Sequence, residues 1–333
     1  MRKNAKQELT IFIIIVAVAA FFRLWQANYI STAAVLGIMT VAGIYLLTKE
    51  LFDWKIAALS GYMTAVSFWH VSVSRFNSQE VVLPFLLVFG FYFLWRGLKR
   101  LKKFDFLAAG IFGGLIFYTN ILYFSILAVP VLVFLNYWKY LKSDFAHSEY
   151  DHAKLKLLQG FTLTAITTIA AALPAGQYYW SHPEFLFRHS LDFSILNIVN
   201  TLAMFNFSEA PVLHWTLGVF FVIGLLKELT HWFRKKHGHL SPLHTLLMSW
   251  FFIALIPGFI SPRAPDVMLT IGVLPITMLL SARGFWWFFD KLSDWYKAHD
   301  PHSMQERHVA VALVMIIFLA TIGFTEYVRY FGF

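Results

Sequence analysis

Long apolar runs alternate with short polar clusters along the whole chain. They fall at about 9–26, 30–48, 55–73, 81–96, 105–120, 122–138, 157–179, 211–229, 241–260, 266–288 and 308–328. Most are roughly 15 to 22 residues, close to the length a helix needs to cross the hydrocarbon of a bilayer. None alternates with the two-residue period of a membrane barrel strand. The pattern predicts an all-α, polytopic membrane helix bundle of about 11 transmembrane helices, a single domain over residues 1–333. The stretch 185–207 is amphipathic and is expected to lie in the interface as a short helix.

Composition sharpens this reading. The chain is 59% hydrophobic and 14% charged, against about 25% charged in soluble domains. It has no cysteine, which excludes disulfides, thiolate nucleophiles and thiolate metal sites. Arg2, Lys3 and Lys6 precede the first run, and Ala17-Val18-Ala19 resembles a signal-peptidase site. The run continues through Ala20-Phe21-Phe22, so a retained first span is expected.

Charge then sets the orientation. With the N-terminus in the cytoplasm, 22 of the 27 Lys and Arg residues face inward, as the positive-inside rule asks. The net charge of +9 is thereby explained without nucleic acid. The outer set is Arg23, Arg75, Arg188, Arg263 and Arg329, and contains no lysine. Guanidinium forks onto phosphate or carboxylate with two hydrogen bonds, so this set suggests a phosphate-bearing ligand outside. The alternative is that each arginine snorkels to a headgroup or pairs with a nearby acid.

Candidate chemistry is sparse and lies on the predicted outer side. The segment Ala57 to Glu80 reads AALSGYMTAVSFWHVSVSRFNSQE and places His70, Arg75 and Glu80 at the end of one greasy run and the start of the next. His182-Pro183-Glu184 opens a later outer loop, with Asp192, Glu209, Asp266 and Glu326 as further acids. His214 beside Trp215 reads as an interfacial residue. The inner histidines His231, His237 and His239 have no partner carboxylate or thiolate at ligand spacing, so no metal is expected. There is no phosphate-cradling glycine loop and no internal repeat, and no cofactor is expected.

Several stretches resemble the GT-C fold polytopic glycosyltransferases, especially the bacterial relatives of protein O-mannosyltransferases. These are Gly37 to Phe52 (GIMTVAGIYLLTKELF), Ala57 to Arg75, Phe91 to Arg100 (FYFLWRGLKR) and Gly110 to Thr119 (GIFGGLIFYT). His182-Pro183-Glu184, Thr201 to Phe207 (TLAMFNF) and Ala264 to Pro275 (APDVMLTIGVLP) are similar to the family's later outer loops. The resemblance implies transfer of a sugar from a polyprenyl-phosphate carrier to an acceptor at the outer face of a bacterial inner membrane. It also implies a carboxylate base on the first outer loop and basic residues on the phosphate. Here the chain departs from the family. No Asp or Glu occurs between Glu8 and Glu50, and Asp266 and Leu269 stand where relatives carry His and Arg.

A substitute base is therefore expected, Glu80 or Asp266, with Arg75 and Arg263 on the carrier phosphate. Arg23, His70 and His182 complete the expected substrate-binding set. A second reading is a relative that binds a lipid-phosphate or a partner without catalysis. A third is a transporter or flippase, which needs intramembrane charge. No ionisable residue falls near the centre of a predicted span.

Overall fold

The computed structural model describes residues 2–76, 79–144, 147–184, 192–234, 240–299 and 304–332. Among these the chain forms helices and short 3₁₀ turns, with no strand. The first half holds α1 (Arg2–Leu24), α2 (Thr32–Leu51), α3 (Trp54–Val66), α4 (Phe68–Arg75), α5 (Val82–Arg100), α6 (Lys103–Leu115), α7 (Ala128–Asp144) and α8 (His147–Ser181). The second holds α9 (Ile195–Ala203), α10 (Trp215–Phe233), α11 (Pro242–Ala254), α12 (Ile256–Phe259), α13 (Leu274–His299) and α14 (Met304–Phe331).

Nine helical segments among the described residues are long and apolar enough to cross a membrane, and the bent pair α3–α4 makes ten if it counts as one span. The span expected at about 105–120 falls short of that length. There α6 has 13 residues and runs into a 3₁₀ turn at Ile116–Tyr118. Asn120 then resets the chain, its side-chain oxygen accepting from the Leu122 amide at 3.0 Å to open a new 3₁₀ stretch, Ile121–Leu127. The apolar pattern places the boundary between two runs there, but it does not show that the chain on both sides of Asn120 is 3₁₀ and not α-helical.

The span expected at 55–73 is broken at Ser67, where α3 and α4 meet at 53°. Neither proline nor glycine stands at the break. Charges from other helices hold it. Arg23 of α1 donates through Nη1 to the carbonyls of Ala19 (3.0 Å) and Ala65 (3.1 Å). Glu326 of α14 accepts the Phe68 amide at 2.5 Å. A cation thus meets the C-terminal end of α3 and an anion the N-terminal end of α4, each the sign that the helix dipole favours. The backbone groups freed by the break are satisfied within protein, as membrane depth requires.

Elsewhere the packing is by close approach. α10 and α13 cross where a Cβ on Gly224 would lie 1.9 Å from the Leu280 carbonyl oxygen, and one on Gly284 1.9 Å from that of Phe220. Only glycine lets the two backbones come so near. Of the stretch expected at the interface, residues 185–191 lie outside the described residues. The rest contains α9, with Ile195, Leu196 and Val199 exposed and Asn197 and Thr201 buried. That one-sided pattern is what an interfacial helix presents.

Candidate functional site

Three turns distant in sequence meet at one end of the bundle. The first is the 3₁₀ turn Gln79–Val81, directly ahead of α5. It carries Glu80, whose negative charge is favoured at a helix N-terminus. The second is the Ile116–Leu127 region opened by Asn120. The third is the loop from Ser261 to Thr270, ahead of the 3₁₀ turn Ile271–Val273. Between them lies a hollow of about 360 Å³, lined by Gln79, Glu80, Tyr118, Asn120, Tyr123 and Leu269, among others. No Lys, Arg or His lines it among the described residues.

Tyr123 ties two of the turns together. Its ring is buried, and its hydroxyl donates to the Met268 carbonyl at 3.2 Å. The charges of both Glu80 and Asp266 act on that phenol. The two expected carboxylates are thus brought to one place, with different tasks. Asp266 Oδ1 accepts the amides of Met268 (3.1 Å) and Leu269 (3.0 Å), and Ser261 Oγ lies 3.5 Å from Oδ2. That is a capping arrangement which builds the loop. Glu80 is the carboxylate that lines the hollow. Arg263 is exposed on the same loop as Asp266, its amide donating to Ser261 Oγ at 3.2 Å.

The remaining expected residues are elsewhere. Arg75 donates through Nη1 to the carbonyls of Phe22 (3.1 Å) and Trp25 (2.7 Å), and its guanidinium lies 5.2 Å from the rings of Tyr330 and Phe331. Arg23 and His70 are fully buried, with Arg23 Nη2 2.6 Å from His70 Nδ1. His182 is exposed at the end of α8, its ring stacked on Tyr178 at 4.6 Å and its Nδ1 3.1 Å from the Tyr178 carbonyl oxygen. Arg329 donates to the carbonyls of Val212 and Pro211. Arg188 lies outside the described residues.

A guanidinium pocket shared by the outer arginines is therefore absent among the described residues. The reason is that backbone carbonyls at the α3 break, at the end of α1 and in the loop at Pro211 and Val212 take three of those arginines. Gln79, Tyr118 and Tyr123 escaped the sequence reading. The one local signal was the polar pair Thr119-Asn120 between two apolar runs.

Residues 8–151 match the family model described as dolichyl-phosphate-mannose-protein mannosyltransferase, a stretch that includes Glu80. The fold is similar to that of the archaeal oligosaccharyltransferase AglB from Archaeoglobus fulgidus in complex with an inhibitory peptide and a dolichol-phosphate. There the identity is 12%, 96% of this chain and 56% of that one are covered, and the TM-score is 0.59. The Archaeoglobus fulgidus oligosaccharyltransferase tethered to an acceptor peptide containing the NVT sequon gives 15% identity, 88% and 43% coverage and a TM-score of 0.51. Its apo form gives 14%, 88% and 44%, and 0.53. The chain spans about half the length of these structures. No curated protein matches it in sequence. The molecule is thus an integral, multi-pass membrane protein with the GT-C fold of membrane glycosyltransferases, and its residues 8–151 carry the sequence pattern of the protein mannosyltransferase family.

Proposed function

We propose that this chain is a membrane glycosyltransferase that moves a sugar from a polyprenyl-phosphate carrier to an acceptor hydroxyl at the extracytoplasmic face. The observation that carries the proposal is the Glu80 carboxylate, set in a polar hollow at the end of a GT-C bundle. The acceptor hydroxyl gives its proton to Glu80 as its oxygen attacks the anomeric carbon. The new carbon–oxygen bond forms while the bond from that carbon to the phosphate oxygen breaks. The carrier phosphate leaves with the bonding electrons, and the Arg263 guanidinium on the neighbouring loop offsets its charge. Asp266 holds the loop in shape. The mannosyltransferase match supports mannose as the first sugar to test. The dolichol-phosphate bound by the similar oligosaccharyltransferase supports a lipid-linked carrier.

The test is release of carrier phosphate from polyprenyl-phosphate-mannose by the purified full chain, with a pool of hydroxyl-bearing peptides as acceptors. Glu80→Gln is expected to lower turnover roughly 10²- to 10⁴-fold with the fold intact. Asp266→Asn, whose amide oxygen still accepts both loop amides, is expected to keep most of it. Equal turnover in Glu80→Gln and wild type removes Glu80 from the mechanism. A second reading, binding of the carrier without transfer, is favoured by the short connection between α1 and α2, which has no acid. It predicts retention of polyprenyl phosphate with no turnover under the same conditions.

A further inference from the structure

On another side of the bundle, α1 and α14 part to leave a groove of about 530 Å³. Its walls include Ala17 and Phe22 of α1 and Ala320 and Gly323 of α14, and its floor is Tyr62 and Val66 of α3. The small side chains of Ala17, Ala320 and Gly323 leave the floor between the two helices uncovered. The floor is fixed, because the Tyr62 hydroxyl donates to the Leu319 carbonyl at 2.8 Å. A Cβ on Gly323 would come within 2.3 Å of that hydroxyl. Ile13, Ile316 and Phe324 on the flanking faces are exposed, so the groove opens sideways into the hydrocarbon of the bilayer. An apolar channel there loses dispersion contacts unless a chain fills it.

One end of the groove carries charge. Phe22 and Tyr327 line the groove at this end, and the Phe22 ring lies 6.2 Å from the rings of both Tyr327 and Phe331. Directly beyond it sits Arg75, held to the Phe22 carbonyl and stacked against Phe331 and Tyr330. Arg75 is thereby kept at the mouth of the groove and away from the hollow of Glu80. Groove and hollow have no lining residue in common. A hydrocarbon channel that ends at a fixed guanidinium has the two features of a lipid with a phosphate head.

We propose that this groove and Arg75 form a binding site for an anionic phospholipid of the surrounding bilayer, with one acyl chain along α1 and α14 and the phosphate at Arg75. The site is independent of the transfer reaction proposed above, and its test reads lipid and not turnover. The full chain is reconstituted in nanodiscs with equal amounts of phosphatidylglycerol and phosphatidylcholine of the same acyl chains. Lipids retained after release into detergent are counted by native mass spectrometry. Wild type is expected to retain phosphatidylglycerol about fivefold over phosphatidylcholine, the preference one arginine near a membrane surface gives. Arg75→Gln is expected to abolish the preference while phosphatidylcholine retention stays the same. Ala320→Phe, which fills the groove, is expected to lower retention of both. Equal retention of the two lipids by wild type overturns the proposal, as does an unchanged preference in folded Arg75→Gln. If Arg75→Gln does not fold, unchanged phosphatidylglycerol retention in Ala320→Phe overturns it. Displacement of phosphatidylglycerol by an equal amount of polyprenyl phosphate overturns the phospholipid assignment.

Discussion

At the scale of single residues, the same side-chain type does different work according to the backbone around it. Asp266 and Glu80 are both carboxylates on outer turns. Asp266 accepts two amides of its own loop and so acts as a cap, while Glu80, on the turn ahead of α5, lines the hollow. His214 offers a pH test at the start of α10. It precedes α10, and its Nδ1 lies 3.0 Å from Thr216 Oγ1. Burial first, and then the Arg329 charge, push its imidazole below the ordinary histidine value. In the unfolded chain it returns to about 6.5, so near that pH the unfolded state binds more protons than the folded one. Its contribution to stability is present above about pH 6.5 and is lost as pH falls toward the lowered folded value. Thermal midpoints of wild type are expected to drop between pH 7.5 and 5.5, and His214→Gln to flatten part of that slope. An identical slope in the variant assigns the pH dependence to other groups.

At the scale of elements, the chain's runs of apolar residues foretold where the helices lie, because bilayer thickness fixes both the length and the polarity of a span. They did not foretell the break at Ser67. Its determinants, Arg23 and Glu326, are far away along the chain, and the local sequence carries no helix breaker stronger than serine. Helix kinks usually trace to proline, glycine or an inserted side chain, and here the inserted groups come from α1 and α14. This makes α4 dependent on α14. Because the chain has no cysteine, a single Ser74→Cys reports on it cleanly, since Ser74 is fully buried on α4. Glu326→Leu removes the cap from the Phe68 amide and is expected to speed maleimide labelling at position 74. Glu326→Gln keeps an accepting oxygen and is expected to label closer to wild type. Equal slow labelling in both variants means that packing alone holds α4.

At the scale of the whole molecule, the candidate site was hard to read because its parts come from turns around residues 80, 120 and 268, which only the bundle brings together. Composition foretold the membrane and resemblance the fold, but neither places Tyr123 over Met268. The bundle's rigidity rests on contacts of the same long range, and the crossing of α10 and α13 is among the tightest of them. Beside Gly284, Arg283 donates through Nε and Nη2 to Oε1 of the fully buried Glu228, both at 2.7 Å, and Glu228 lies one turn beyond Gly224. Close backbones and buried ion pair therefore depend on one geometry. Gly284→Ala must push α13 away from the Phe220 carbonyl, an overpacking that costs about 1–3 kcal/mol by itself. The same displacement lengthens the ion pair and leaves a buried carboxylate partly uncompensated, which is a further cost. In a Glu228→Gln, Arg283→Met background that second cost is gone. Denaturation of the four proteins in one detergent is expected to show Gly284→Ala less damaging in the background than in wild type. Agreement of the two values to within about 0.5 kcal/mol, the range of independent sites, means that the crossing and the ion pair are separate supports.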